Sequence, residues 1–247
     1  MPWEKELNYF CPWPVDGFRD RWQYCRKQFA APENAELLAR VNEWYENFTK
    51  PKKSAKHYRS LFARPQGTIA GDLTPSCAVL NSDAIARYKR AAPNAKIIYL
   101  LRDPVDRMWS FIRMRYAAQI PGMSSKQLRQ LLYRENRKDT KLVERHNKYL
   151  SNIDRWEKHF GEVHVLFLEQ LESDPEAFFR EICRIIGIST VTDFLGNQLH
   201  KRIFEGPVIP IPPEFRKFLA KRYYPSIKAL YMRYPNAYVN GWLDRHQ

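Results

Sequence analysis

Hydrophobic positions recur along the chain at two periods, and each predicts a different element. Leu37, Leu38, Val41, Trp44, Tyr45 and Phe48 fall at helical spacing, which predicts a helix over about 34–48 that ends at Lys50-Pro51-Lys52-Lys53. Around it, the chain before residue 60 reads as aromatic-rich and irregular. A short extended piece is expected at 68–72, then a helix over 82–91 that stops before Pro93. Residues 96–101 (KIIYLL) form a continuous β-prone run, which predicts a strand of a parallel sheet covered on both faces.

That strand turns directly into a helix. In Arg102-Asp103-Pro104-Val105-Asp106-Arg107, Asp103 suits the N-cap, Pro104 the first helical position, and Asp106 the positive end of the helix dipole. A long helix is expected around 141–160, leading through Gly161 into a second strand at 163–168 (VHVLFL). Asp174-Pro175 starts a further helix ending near Gly187, and two more helices are expected at about 213–223 and 226–234. Strand and helix in alternation predict an α/β domain, and all 247 residues read as one.

Composition narrows the class. With 44% hydrophobic and 28% charged residues the chain is an ordinary globular protein, and no apolar run reaches the roughly 20 residues that span a bilayer. The start, Met1-Pro2-Trp3-Glu4-Lys5-Glu6, lacks the pattern of a signal peptide, so a cytoplasmic location with no membrane partner is expected. Cys11, Cys25, Cys77 and Cys183 form no CxxC pair, so neither a disulfide scaffold nor a metal site is expected. The formal net charge of +14 points to an anionic ligand, substrate or surface without choosing among them. Nucleic acid is disfavoured, because the basic residues are dispersed and no reading motif is present.

An arginine at the carboxyl end of a buried strand, followed by a capped helix, stands where open α/β sheets bind ligands. Ser110 follows Arg102 by eight residues, so a guanidinium and a hydroxyl can address one phosphate if the turn folds back. The same spacing equally fits solvated arginines at 102 and 107 and a surface serine. Lys201 and Arg202, in LHKR before a proline-rich stretch, fit a solvated charge pair, and His146 and His200 are weaker candidates. Trp109, Phe111 and Met114 read as core positions of the helix.

Residues 96–116 (KIIYLLRDPVDRMWSFIRMRY) resemble the 3′-phosphate-binding segment of sulfotransferases that use 3′-phosphoadenosine 5′-phosphosulfate. Further segments match in order. Lys5-Glu6-Leu7-Asn8-Tyr9-Phe10 resembles the Lys-Glu-x-His-x-Phe segment of glycan sulfotransferases, and Gly71-Asp72-Leu73-Thr74-Pro75-Ser76 their Gly-Glu-x-Thr/Ser-Pro segment. LFLEQL at 166–171 with Asp174-Pro175 resembles a later strand and Asp-Pro pattern of the same family. The resemblance implies a P-loop-NTPase-like three-layer α/β/α fold with a central parallel sheet. It implies sulfuryl transfer from that nucleotide, without a metal, to a hydroxyl or amine of a glycan or other small hydroxylated acceptor. Glu6 would be the base, Arg102 and Ser110 would hold the 3′-phosphate, and Lys201 and Arg202 would contact the nucleotide.

This sequence departs from the family at its start. Relatives begin with a strand and a Lys-x-Gly-Thr/Ser-Ser/Thr loop around the 5′-phosphosulfate, whereas the Lys-Glu segment here begins at residue 5. The first strand and phosphate loop are therefore expected to be missing. Asn8 replaces a frequent His, Leu73 an occasional Lys, and Cys77 a common aromatic. A catalytically inactive nucleotide- or polyanion-binding remnant is the competing expectation.

Overall fold

A computed structural model of the chain describes residues 6–11, 18–50, 54–62, 67–134, 138–189, 199 and 208–247. The chain divides into two compact units, Met1–Ala95 with Asp154–Glu162, and Lys96–Ile153 with Val163–Gln247.

The first unit carries helices α1 (Phe18–Gln28), α2 (Ala35–Phe48), α3 (Ala55–Ser60) and α4 (Ser82–Ala91). Helix α2 coincides with the predicted helix and buries Val41, Trp44 and Tyr45. Local chemistry sets the starts of the next two. The Ser54 hydroxyl accepts the His57 N–H at 3.1 Å, and Asn81 Oδ1 accepts the Ala84 N–H at 2.9 Å, each satisfying an amide that the helix itself leaves unpaired. The aromatic residues expected to be irregular form an organised cluster instead. The Phe10 ring meets Tyr9 at 4.7 Å and Tyr88 at 4.8 Å, edge to face, and Tyr58 meets Tyr88 at 5.4 Å. At these separations the ring quadrupoles favour edge contacts, so the cluster adds orientation to its burial.

In the second unit, β1 (Ile98–Leu101) leads into α5 (Pro104–Tyr116), α6 (Ser125–Arg134), α7 (Lys138–His146) and the start of α8 (Tyr149–Phe160), which from Asp154 onward belongs to the first unit. Strand β2 (His164–Phe167) follows, then α9 (Leu168–Ser173), α10 (Pro175–Ile186), α11 (Pro213–Arg233) and α12 (Ala237–His246). β1 and β2 pair in parallel, Ile98 opposite His164 and Leu101 opposite Phe167, so both strands end on the same side. The parallel sheet is as expected, but its coverage is not. Tyr99 and Leu101 are buried while Ile98 and Leu100 remain 36% and 44% exposed, so the apolar run is half covered rather than enclosed.

Two helix boundaries also differ from the periodic pattern. The single helix expected over 141–160 is broken at Asn147 and Lys148, where Asn152 Nδ2 donates to the Arg145 carbonyl at 2.8 Å and so satisfies the end of α7. Conversely, α11 is one helix through Pro225 rather than two. Its buried stripe of Phe215, Leu219, Ala220, Tyr223, Ile227 and Leu230 runs on either side of the proline, and this burial outweighs the roughly 3 kcal/mol that an interior proline costs. Helix α11 packs against α5, α6 and α12. Helix α10 ends at Gly187, whose φ of 73° is the left-handed cap that a residue without Cβ adopts freely. No helix among the described residues is long and apolar enough to cross a membrane.

Candidate functional site

At the end of β1, Leu101 is buried and the next two residues turn into α5. The Tyr149 hydroxyl donates to the Arg102 carbonyl at 2.6 Å, fixing the turn. Asp103 is fully buried and caps α5, its Oδ1 accepting the Val105 N–H at 2.9 Å. Its Oδ2 accepts from Arg245 Nη2 at 3.0 Å and lies 2.7 Å from His246 Nε2. Burial alone would push this carboxyl's pKa up. The hydrogen bond and charge of His246, with Arg245 and the Val105 amide, more than offset that and hold it below the usual carboxylate value. Glu169, at the start of α9, closes the arrangement: its Oε1 accepts the Asp103 N–H at 3.3 Å and the Trp242 indole N–H at 2.8 Å. Burial raises the Glu169 pKa, and its Oε2 is buried with no hydrogen-bond partner among the described residues.

A cavity of about 360 Å³ opens here, lined by Arg102, Asp106, Glu169, Glu172, Arg216 and Arg245. The Arg102 guanidinium makes no hydrogen bond or ion pair among the described residues, which leaves its donors available to a ligand. Arg216 Nη1 reaches Asp106 Oδ1 at 3.3 Å. Ser110 lies one turn beyond Asp106 on α5, so it stands on the same side of that helix as the cavity-lining carboxylate. Lys201, Arg202 and His200 lie outside the described residues.

Glu6 stands on a different unit, on strained backbone. Its φ is 61° and that of Asn8 is 49°, left-handed values that typically cost a non-glycine residue on the order of 1–3 kcal/mol. Hydrogen bonds hold the shape: the Glu6 N–H donates to the Leu73 carbonyl at 3.2 Å, Asn8 Nδ2 to the Glu6 carbonyl at 2.8 Å, and the Ser76 hydroxyl to Asn8 Oδ1. The buried Leu7, Tyr9 and Phe10 anchor the segment. Thus the stretches around Glu6 and around Gly71–Ser76, matched separately in the sequence, lie side by side. Asp72 accepts from the Tyr58 hydroxyl at 2.9 Å and the Thr74 hydroxyl at 2.5 Å, and burial raises its pKa against those two bonds. The Glu6 side chain itself is exposed.

Other candidates separate clearly. His146 is buried beside Arg107 and Arg145, and burial and these cations lower its pKa to about 3, so it is neutral. Trp109 is buried and donates from its indole N–H to the Ile209 carbonyl at 2.8 Å, and Phe111 is half-buried. Met114, expected in the core, is 77% exposed because it falls opposite the buried stripe of Val105, Met108, Trp109, Ile112 and Tyr116. Among the described residues, no group of three or more His, Cys, Asp or Glu side chains is placed to hold a metal ion. Sequence reasoning missed Arg216, Arg245 and His246. They lie more than 100 residues from Arg102, and no local pattern marks them.

Parallel strands that hand an arginine to a capped helix, beside a cavity with further guanidinium groups, are an arrangement with which α/β proteins hold anionic ligands. Residues 8–193 match the profile of the sulfotransferase family, and the chain belongs to that family, whose members are transferases. Among solved structures, the chain is similar to the crystal structure of a sulfotransferase from Alicyclobacillus acidocaldarius. The TM-score is 0.63 at 20% identity, over 98% of this chain and 87% of that one. Among curated proteins none matches.

Proposed function

We propose that this protein transfers a sulfuryl group from 3′-phosphoadenosine 5′-phosphosulfate to a hydroxyl or amine acceptor, with a carbohydrate as the acceptor class, and that its 247 residues are one sulfotransferase-like domain. The observation that carries the reading is the Arg102 guanidinium, unpaired among the described residues and presented by the end of β1 to a cavity beside the capped start of α5. Arg102 and Ser110 hold the 3′-phosphate, and Lys201 and Arg202 add charge toward the nucleotide. In the reaction the acceptor oxygen or nitrogen bonds to sulfur while the bond from sulfur to the 5′-phosphate oxygen breaks. The acceptor proton passes to the Glu6 carboxylate and adenosine 3′,5′-bisphosphate leaves. An exposed carboxylate on a backbone held in an unfavourable conformation supports the role of Glu6.

A second reading, binding of a nucleotide or polyanion without transfer, draws on the charge of the second unit, which carries 24 Lys and Arg against 14 Asp and Glu. Two measurements test these readings. Arg102→Ala is expected to weaken adenosine 3′,5′-bisphosphate about tenfold or more by calorimetry, since a charge-assisted hydrogen bond is worth about 1.5–3 kcal/mol. Equal affinities would remove Arg102 from the site. Transfer of labelled sulfate from the nucleotide to any member of an oligosaccharide panel supports catalysis, and tight nucleotide binding with no transfer across the panel supports the second reading.

A further inference from the structure

The cavity wall holds three arginines in three different states of commitment. Arg245, in the last turn of α12, is bound to Asp103, which has no exposed surface, so it belongs to the scaffold. Arg102 has no partner among the described residues. Arg216, in the first turn of α11, makes one ion pair among the described residues, a single 3.3 Å bond to Asp106, and the two side chains are 36% and 33% exposed. Such a bond is weak, because water competes for both ends and one N–H does the work of a possible five.

We propose that Arg216 is a further ligand of the nucleotide 3′-phosphate, and that Asp106 is the internal anion it exchanges for that phosphate. The assignment rests on the reading of Arg102 and Ser110 given above and extends it to a residue more than a hundred positions away. Geometry carries it. Asp106 and Ser110 are i and i+4 on α5, about 5–6 Å apart at their β-carbons, so a guanidinium already touching Asp106 reaches a phosphate on Ser110 by a change of side-chain rotamer. A planar fork of donors suits two phosphate oxygens better than one carboxylate oxygen at 3.3 Å. The remaining acidic wall opposes an anion weakly: Glu169 already takes two N–H donors and has its pKa raised by burial, and Glu172 is exposed, where solvent screens it.

Opposite signs at the two ends of one bond distinguish this role from a structural one. Against adenosine 3′,5′-bisphosphate, Arg216→Ala is expected to lose about tenfold or more in affinity by calorimetry. Asp106→Asn, which frees the same guanidinium and removes a negative charge, is expected to gain several-fold. Adenosine 5′-monophosphate, lacking the 3′-phosphate, is expected to bind wild type and both variants alike. Arg216→Lys keeps the charge without the fork and is expected to fall between wild type and alanine, which preserves the test if the alanine variant folds poorly. If Arg102→Ala weakens the bisphosphate but Arg216→Ala does not, or if Asp106→Asn also weakens it, the exchange is wrong while the functional reading survives. A wild-type chain that does not prefer the bisphosphate to the monophosphate overturns both.

Discussion

Two carboxylates, Asp103 and Glu6, are treated in opposite ways. Asp103 is buried completely and satisfied on every side, by the Val105 amide, Arg245 and His246, and its pKa is held low. Glu6 is exposed, on a left-handed backbone braced by Leu73 and Asn8. A carboxylate whose pKa is held low by the bonds of His246 and Arg245 cannot take a proton readily, and it serves to fix the turn that carries Arg102. The contrast separates a carboxylate that fixes a turn from one proposed to take the acceptor proton.

The sharpest way to break that contrast is at Glu6. Glu6→Gln keeps size and polarity but removes basicity, so turnover is expected to fall about 10²–10⁴-fold while adenosine 3′,5′-bisphosphate binds as before. Turnover near that of wild type would place the base elsewhere. At the other carboxylate the effect falls on stability instead. Asp103→Ala strands His246 and Arg245 and uncaps α5, and urea unfolding is expected to register a loss of about 3–5 kcal/mol. A loss below about 1 kcal/mol would mean that the two side chains find water or other partners.

Acid titration sharpens the comparison further. The folded Asp103 pKa is depressed, so its contribution is present above the ordinary carboxylate range and is lost only as pH falls through the lower folded value. His146 acts in a different window. With a folded pKa of about 3 against about 6.5 unfolded, only the unfolded chain takes up its proton between those values. Stability is therefore expected to fall on acidification from about pH 6.5, by up to about 1.4 kcal/mol per pH unit, and His146→Gln is expected to flatten that slope. An unchanged slope would show that His146 opens to solvent before unfolding. The smallest effect is expected at an exposed pair of shorter geometry. Arg184 and Glu181 approach to 2.6 Å at 70% and 32% side-chain exposure, yet Glu181→Ala should change stability by no more than about 0.5 kcal/mol in the same urea assay. Burial, not distance, ranks these two ion pairs.

Much of this protein is legible wherever the determining chemistry is local. Helix α2 shows in its apolar spacing, α10 in Asp174-Pro175 at one end and Gly187 at the other, and the Asp103 cap in a side chain reaching an amide two residues away. Such features depend on bonds within a few residues of each other, and the sequence order alone supplies those neighbours. The parallel pairing of β1 and β2 follows nearly as directly from alternation of strand and helix. The order of the family segments, from Glu6 through Gly71–Ser76 to Arg102 and Asp174, is likewise written in the chain.

What only the tertiary structure decided depends on partners far apart in sequence. Helix α11 runs through Pro225 because its apolar stripe is buried, and local propensity, which would end it there, is the smaller quantity. The half-covered face of β1 cannot be read from KIIYLL, since the same apolar run fits a covered strand and an open one. The left-handed turns at Glu6 and Asn8 exist because Leu73 and Ser76, nearly 70 residues away, supply the hydrogen bonds that brace them. Arg216, Arg245 and His246 reach Asp103 and Asp106 only through the packing of α11 and α12. A solvated arginine and a site arginine are identical in sequence, and the distance to a carboxylate and the water around it make the difference.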